Sequence, residues 1–233
     1  MQFRPNPRTA MPDFQLKRFV LALIAALSCG RAAMTDAESL RLPEPHLQDK
    51  LARTMQQRRS LREFAPKSLS LETAARLLWA AQGISSPDGL RTAPSGGALY
   101  PLELHLVAGE VAGLPAGSYR YDPAEHGLTR IVRGDLRSAL ARAALNQSWI
   151  ADAPAAVVIS AVPRRSTRKY GERGIRYVHI EVGHAGQNLL LQATALGLGG
   201  TVVGAFDDAA VQGLLELPAG EHPLAILPVG YPR

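Results

Sequence analysis

The sequence predicts one α+β domain behind a basic leader, and three observations predict it. Helix-spaced apolar stripes and short strand-like runs share one chain of 233 residues, which mixes the two element types in a single layered body. A continuous apolar run, Ala155–Val162, follows a proline and reads as a buried central strand. No repeat and no internal linker divides residues 46–233. Composition agrees: 46% of residues are hydrophobic and 20% charged, ordinary for a globular chain whose core needs no staples. The single cysteine, Cys29, leaves no internal disulfide to form.

The elements follow in order. Residues 46–58 form a charged amphipathic segment with Leu47, Leu51 and Met55 at helical spacing. Ser70 caps a helix over Leu71–Gln82, with Glu72 in its first turn and Gly83 at its end. Residues 84–98 are polar and glycine-rich, a loop. Leu102–Val107 alternates leucine with Glu103 and His105, the pattern of a half-buried strand. Ser118–Tyr121 and Leu128–Val132 read as short strands around a turn at 122–127. Asp135 opens a helix to about Leu145. A basic loop, Arg164–Arg176, leads into the longest helix, Tyr177–Leu196, which Gly197 stops. Thr201–Val203 starts a strand, Asp207 caps a helix to Leu215, and Leu224–Val229 is the last strand.

The net charge of +6 would suit a nucleic-acid or membrane partner if it lay on the body. It does not. Residues 1–33 carry five basic groups against Asp13 alone, and the remainder holds 21 basic and 19 acidic groups. A body so near neutrality predicts no nucleic-acid partner. Lys17-Arg18, the apolar run Phe19–Leu27 and the small residues after it have the layout of a secretory signal peptide. The run is shorter than the ~20 apolar residues of a bilayer span. The expectation is therefore a leader at 1–33, a polar linker at 34–45, export to the periplasm or medium, and no stable membrane insertion after processing. The alternative is an arm without structure or a start upstream of the true one, which would leave the protein cytoplasmic.

Three constellations could carry chemistry. Arg58-Arg59-Ser60-Leu61-Arg62 offers planar, permanently charged donors of the kind a phosphate monoester wants. In an extended chain, positions 58, 60 and 62 place two guanidiniums and a hydroxyl on one side. Alone, such a cluster reads more readily as a solvated basic face. Pro94-Ser95-Gly96-Gly97-Ala98-Leu99-Tyr100-Pro101 lets backbone amides approach a flat ligand, with prolines stiffening both ends. No G-x-S-x-G elbow supports a hydrolase reading of that loop. Gly197-Leu198-Gly199-Gly200 follows a helix and precedes a strand, the reverse of a dinucleotide turn, and reads as a close backbone approach by packing or by a ring. His179, Glu181 and His184 do not share one helix face, so no metal site is expected. Lys169-Tyr170, in the basic loop, is a pair competent in proton transfer once desolvated.

In this order the pieces resemble the nitroreductase-like flavoproteins, and within them the SagB/ThcOx-type branch of azoline oxidases. The motifs are RRSLREF at 58–64, APSGGALYPLEL at 93–104, RKYGERGIRY at 168–177, the run at 181–200 that ends GLGG, and PVG at 228–230. The resemblance covers about residues 47–231. It implies an α+β nitroreductase-like fold with a central mixed or antiparallel sheet packed by helices, an intertwined homodimer, and FMN at the dimer interface. It further implies that Arg58, Arg59, Ser60 and Arg62 hold the phosphate and ring edge, that Pro94, Ser95 and Gly96 line the isoalloxazine, that the backbone at Gly199 and Gly200 covers another part, that Gln147 reaches in from the partner subunit, and that Lys169 and Tyr170 are the catalytic pair.

A flavin carries the hydride step itself, so protein groups need only bind, orient and steady charge. NAD(P)H is compatible as a transient electron donor, since donor and second substrate can take turns at one flavin. The leading reading is an FMN-dependent oxidoreductase acting on a small electrophile or heterocycle. The second is azoline dehydrogenation on a modified peptide. The third, of another class, is a flavin-binding homologue whose catalysis has lapsed.

Overall fold

A computed structural model describes residues 41–43 and 47–233. The expected leader at 1–33, with Cys29, and all of the linker but residues 41–43 lie outside the described residues.

Residues 47–233 form one compact unit. Helix α1, Lys50–Gln57, begins where the Asp49 carboxylate accepts from the Ala52 amide at 2.8 Å. Strand β1 is Leu69–Ser70 and helix α2 is Leu71–Gln82, with the Ser70 hydroxyl accepting from the Thr73 amide at 3.0 Å. That cap and both bounds are as the sequence predicts. The reason for Gly83 differs. Its φ of −66° is open to any residue, but the Trp79 ring occupies the space a Cβ would need.

The remaining strands are β2 Leu102–Ala108, β3 Val111–Ala112, β4 Gly117–Asp122, β5 Gly127–Arg133, β6 Ala155–Ala161, β7 Gly199–Gly200 and β8 His222–Gly230. Six of them form a sheet in the order β5-β4-β2-β6-β8-β7, antiparallel at every step, and β1 pairs separately with β3 in parallel. The remaining helices are α3 Arg137–Ala143, α4 Trp149–Asp152, α5 Arg164–Tyr170, α6 Arg173–Ala195 and α7 Asp208–Leu214. Among the described residues no helix is long and apolar enough to cross a membrane.

Alternation along the strands sends side chains to two cores. Leu102, Leu104, Leu106, Val157, Ile159 and Leu227 meet α2 and α6 on one face. Val107, Ala156, Val158 and Ile226 meet α3, α4 and α7 on the other. Each fully buried leucine or isoleucine contributes about 1.5–3 kcal/mol relative to exposure, so the central strands are the stable frame.

The structure departs from the sequence pattern at four places. Strand β2 is covered on both faces rather than half-buried, because His105 and Glu103 point into a polar network instead of water. The helix expected from Asp135 to Leu145 spans only Arg137–Ala143, since Leu145 and Asn146 take positive φ values of 56° and 61°. The basic loop at 164–176 is mostly helix. Arginine and lysine favour helix, Pro163 leads into α5, and Gly171 at φ 57° makes the single break before α6. The two helices then pack closely at Gly174, where a Cβ would lie 2.8 Å from the backbone at Ser166 and Thr167. Finally, β7 sits at Gly199–Gly200, two residues before the expected strand start.

One polar network is buried in the sheet. Glu221 accepts from the Ser160 hydroxyl at 2.6 Å and pairs with His105 Nε2 at 2.7 Å, and Arg120 reaches its other oxygen at 3.6 Å. Arg120 also pairs with Glu103 at 3.1 Å, and Glu103 in turn holds Arg165 of α5. Burial pushes the Glu221 carboxyl up. The hydrogen bonds from His105 and Ser160, with the charges of His105 and Arg120, outweigh it and leave the group below its ordinary value.

Candidate active site

Two separate surfaces collect the predicted site residues. The first is an extended segment laid along β7. Ser60 bridges to Gly200, and the Leu61 amide donates to the Gly200 carbonyl at 3.0 Å. This pairing holds the chain extended, so Arg58, Ser60 and Arg62 alternate as a phosphate cradle requires. The Arg62 guanidinium lies 5.7 Å from the Trp149 ring centroid. Arg58 is half-buried, whereas Ser60 and Arg62 are exposed. Arg59 behaves differently: its Nη1 donates to the Gln56 carbonyl at 2.6 Å and the Arg58 carbonyl at 2.8 Å, so it closes the end of α1. The segment thus carries Arg58, Ser60 and Arg62 at alternating positions beside β7, and Arg59 turns onto its own helix.

Gly199 and Gly200 border this surface, and the chain itself explains their lack of side chains. A Cβ on Gly199 would sit 2.7 Å from Leu61 Cδ2, and one on Gly200 would sit 2.5 Å from the Pro228 carbonyl. Of the two origins left open for this close approach, packing accounts for both. Gln147 belongs to the same side of the protomer, two residues from Trp149. Its Nε2 donates to the Ala144 carbonyl at 2.9 Å and the Ala205 carbonyl at 3.1 Å, which ties the end of α3 to the loop before α7. That amide nitrogen is engaged within its own protomer.

The second surface gathers around the Pro94–Ala98 loop. Gly97 takes φ 65°, which favours glycine, and a Cβ there would lie 2.5 Å from Tyr170 Oη and 2.9 Å from Lys169 Nζ. Helix α5 therefore delivers both predicted proton-transfer groups to the glycine loop. Lys169 Nζ is 5.3 Å from the Tyr170 ring, which meets Tyr177 edge-on at 5.1 Å. Arg165 anchors α5 through the Tyr100 carbonyl at 2.9 Å and through Glu103. Pro94, Ser95 and Gly96 line a cleft of about 290 Å³ with Tyr177, Ile180, Glu181 and His184.

Glu181 is the site residue that sequence reading passed over. It is 3% exposed, and its Oε1 accepts from the Gly96 amide at 3.0 Å. Burial holds its carboxyl above the ordinary value, against hydrogen bonds from Gly96 and Ser95 and the charges of His184 and Arg91. The usable signal was its spacing: Tyr177, Glu181 and Asn188 recur on one face of α6, and the Asn188 amide donates to the Thr92 carbonyl at 3.1 Å. Among the described residues no group of three or more His, Cys, Asp or Glu could hold a metal.

The two surfaces touch α6 at different heights. Gly96 faces Tyr177 and Glu181, and Gly200 faces Leu190. Nine residues of helix separate Glu181 from Leu190, roughly 14 Å at the usual rise.

A model of the nitroreductase family matches residues 55–231. This chain belongs to the nitroreductase family. The match takes in the arginine segment, the glycine loop and α5–α6. The chain is 43% identical over 197 residues to MJ1384 of Methanocaldococcus jannaschii, a protein that bears a nitroreductase name, with 84% of this chain and 98% of that protein covered. It is 32% identical over 165 residues to the trifolitoxin-processing protein TfxB of Rhizobium leguminosarum bv. trifolii, covering 65% of this chain and 44% of TfxB. A solved structure from Ralstonia eutropha, also given a nitroreductase name, superposes with a TM-score of 0.70 at 29% identity, covering 82% of this chain and 88% of that one. Membership in the nitroreductase family makes this chain a flavin-dependent oxidoreductase.

Proposed function

We propose that the flavin is FMN and that two copies of the chain complete its site. The arginine surface of one protomer takes the phosphate, and the glycine loop with Lys169 and Tyr170 of the other faces the ring. The observation that carries this is the convergence of Lys169 Nζ and Tyr170 Oη on Gly97, next to Pro94, Ser95 and Gly96, which line a cleft against α6. The residues fit the cofactor. Arg58 and Arg62 have no ion-pair partner among the described residues, and Ser60 stands between them.

FMN supplies the two-electron step. Arg58, Ser60 and Arg62 bind and orient its phosphate. Lys169 is exposed and Tyr170 half-buried in the protomer, so either can exchange a proton with a substrate seated over the loop. For a small electrophile, the hydride comes originally from NAD(P)H, and Lys169 or Tyr170 gives the matching proton. Azoline dehydrogenation on a modified peptide is the second reading, favoured by the Lys-Tyr pair and the likeness to a toxin-processing protein. There a hydride would pass from one ring carbon to the bound flavin, the proton of its neighbour would pass to the conjugate base of Lys169 or Tyr170, and an external two-electron acceptor such as dioxygen would reoxidise the flavin.

An anaerobic reductant screen tests these readings. The purified protein should be yellow, or become so with added FMN; a colourless chain that takes up no FMN ends both. Bleaching by NAD(P)H supports the reductase, and bleaching by a thiazoline-bearing peptide alone supports the azoline reading. Lys169→Met should abolish turnover with FMN retained, whereas loss of FMN would make the residue structural. Arg58→Ala and Arg62→Ala should each weaken FMN binding about tenfold or more, the value of a charge-assisted hydrogen bond. Export through residues 1–33 belongs to the same proposal; a fusion of those residues to a reporter active only outside the cytoplasm tests it.

A further inference from the structure

Helix α6 is otherwise apolar where it faces the sheet, yet it buries a carboxylate beneath the glycine loop. Glu181 lies one turn from Tyr177 and two turns from Asn188, so the three form a polar stripe along the stretch from Thr92 to Gly96. Burying a carboxylate is costly unless its oxygens are hydrogen-bonded. Here the partner is the loop's own donor, the Gly96 amide at 3.0 Å. The loop closes on itself beside this bond, where the Ser95 oxygen accepts from the Tyr100 amide at 2.9 Å. A residue that would line a flavin ring therefore spends its donor on Glu181. What it offers the ring is a shaped backbone surface.

We propose that Glu181 is the positioning residue of the ring-facing loop: by accepting from the Gly96 amide it sets the shape that Pro94–Gly97 presents to the flavin. This rests on the FMN reading, and it assigns Glu181 no contact with substrate. The role depends on reach. A side chain that accepts at the same distance preserves the loop, and one that keeps the charge but is a methylene shorter does not. The groups around the carboxylate are His184 on α6 itself, Arg91 before the loop and Tyr177, which lines the same cleft. None of the three accepts from the Gly96 amide.

Full-length Glu181→Gln and Glu181→Asp separate these cases. FMN affinity, read by quenching of flavin fluorescence, should stay within about threefold of wild type in the Gln variant. In the Asp variant it should fall about tenfold, the loss of one good hydrogen bond, with a shifted visible spectrum of bound FMN. Amide exchange of the flavin-free protein reads the clamp by itself: Gly96 should be protected in wild type and Gln and exposed in Asp. Wild-type affinity and spectrum in Asp, a Gln variant as weak as Asp, or an unprotected Gly96 in wild type would each overturn the inference. A wild-type protein that protects Gly96 but binds no FMN would instead sink the cofactor reading and limit Glu181 to fixing the loop.

Discussion

Two buried carboxylates in this molecule sit in opposite electrostatic settings. Glu221 lies in the frame, where His105, Ser160 and Arg120 converge on it and hold its carboxyl below the ordinary value despite burial. Glu181 lies in the candidate site, where burial prevails over two loop donors and more distant charges and holds its carboxyl above. The difference shows what each is for. The frame surrounds its charge with partners that keep it ionised. The site keeps a carboxyl with fewer partners, at some cost to stability, because its oxygens shape a loop.

The largest effect expected on this contrast is in the frame. His105→Leu leaves Glu221 without its buried imidazole partner and should cost about 3 kcal/mol, a fall of roughly 10 °C in Tm for a body of this size. FMN affinity measured well below the transition should not change; an unchanged Tm would mean the network is ornamental. Next is Gly97→Ala. A side chain at positive φ costs about 1–2 kcal/mol of strain, and this one also collides with Tyr170 and Lys169. Turnover should drop more than FMN binding does, and a fully active Gly97→Ala enzyme would remove the Lys-Tyr pair from the site.

The smallest effect is a pH dependence of opposite sign at the two carboxylates. Glu221, with its folded value depressed, contributes stability above the ordinary carboxylate range and loses it as pH falls through the folded value. Glu181, with its folded value raised, contributes stability below the ordinary carboxylate range and loses it as pH rises through the folded value. Denaturant melts from pH 3 to 7 should therefore show that Glu221→Gln loses part of the acid-side slope. Glu181→Gln should be as stable as wild type or more so at pH 7. If both variants lose stability alike at neutral pH, the contrast between the two regions fails.

Much of the frame was legible in the residues. Ser70, Asp207 and the run at 155–161 announced their elements because a cap or an unbroken apolar run depends on neighbours in sequence. The α5–α6 turn was not legible, since a run of arginines reads as solvated loop until Gly174 lets one helix lie on the other. Among site residues, the alternation of Arg58, Ser60 and Arg62 followed from spacing, but the turning of Arg59 onto the end of α1 did not. Glu181 stayed hidden because a lone acid beside two histidines invites a metal reading, while its partner Gly96 lies 85 residues away.

By itself the sequence determined most of the element types, though not the helices at 164–176, together with the family's motifs and the chemistry they imply, because these depend on residue types at short spacing. Tertiary structure alone decided which donors are free, which are spent inside the protomer, and that the arginine surface and the Lys-Tyr surface stand apart. The physical reason is that hydrogen-bond partners and desolvation come from whatever packs against a side chain, and at this site the packing is done by residues far away in the chain.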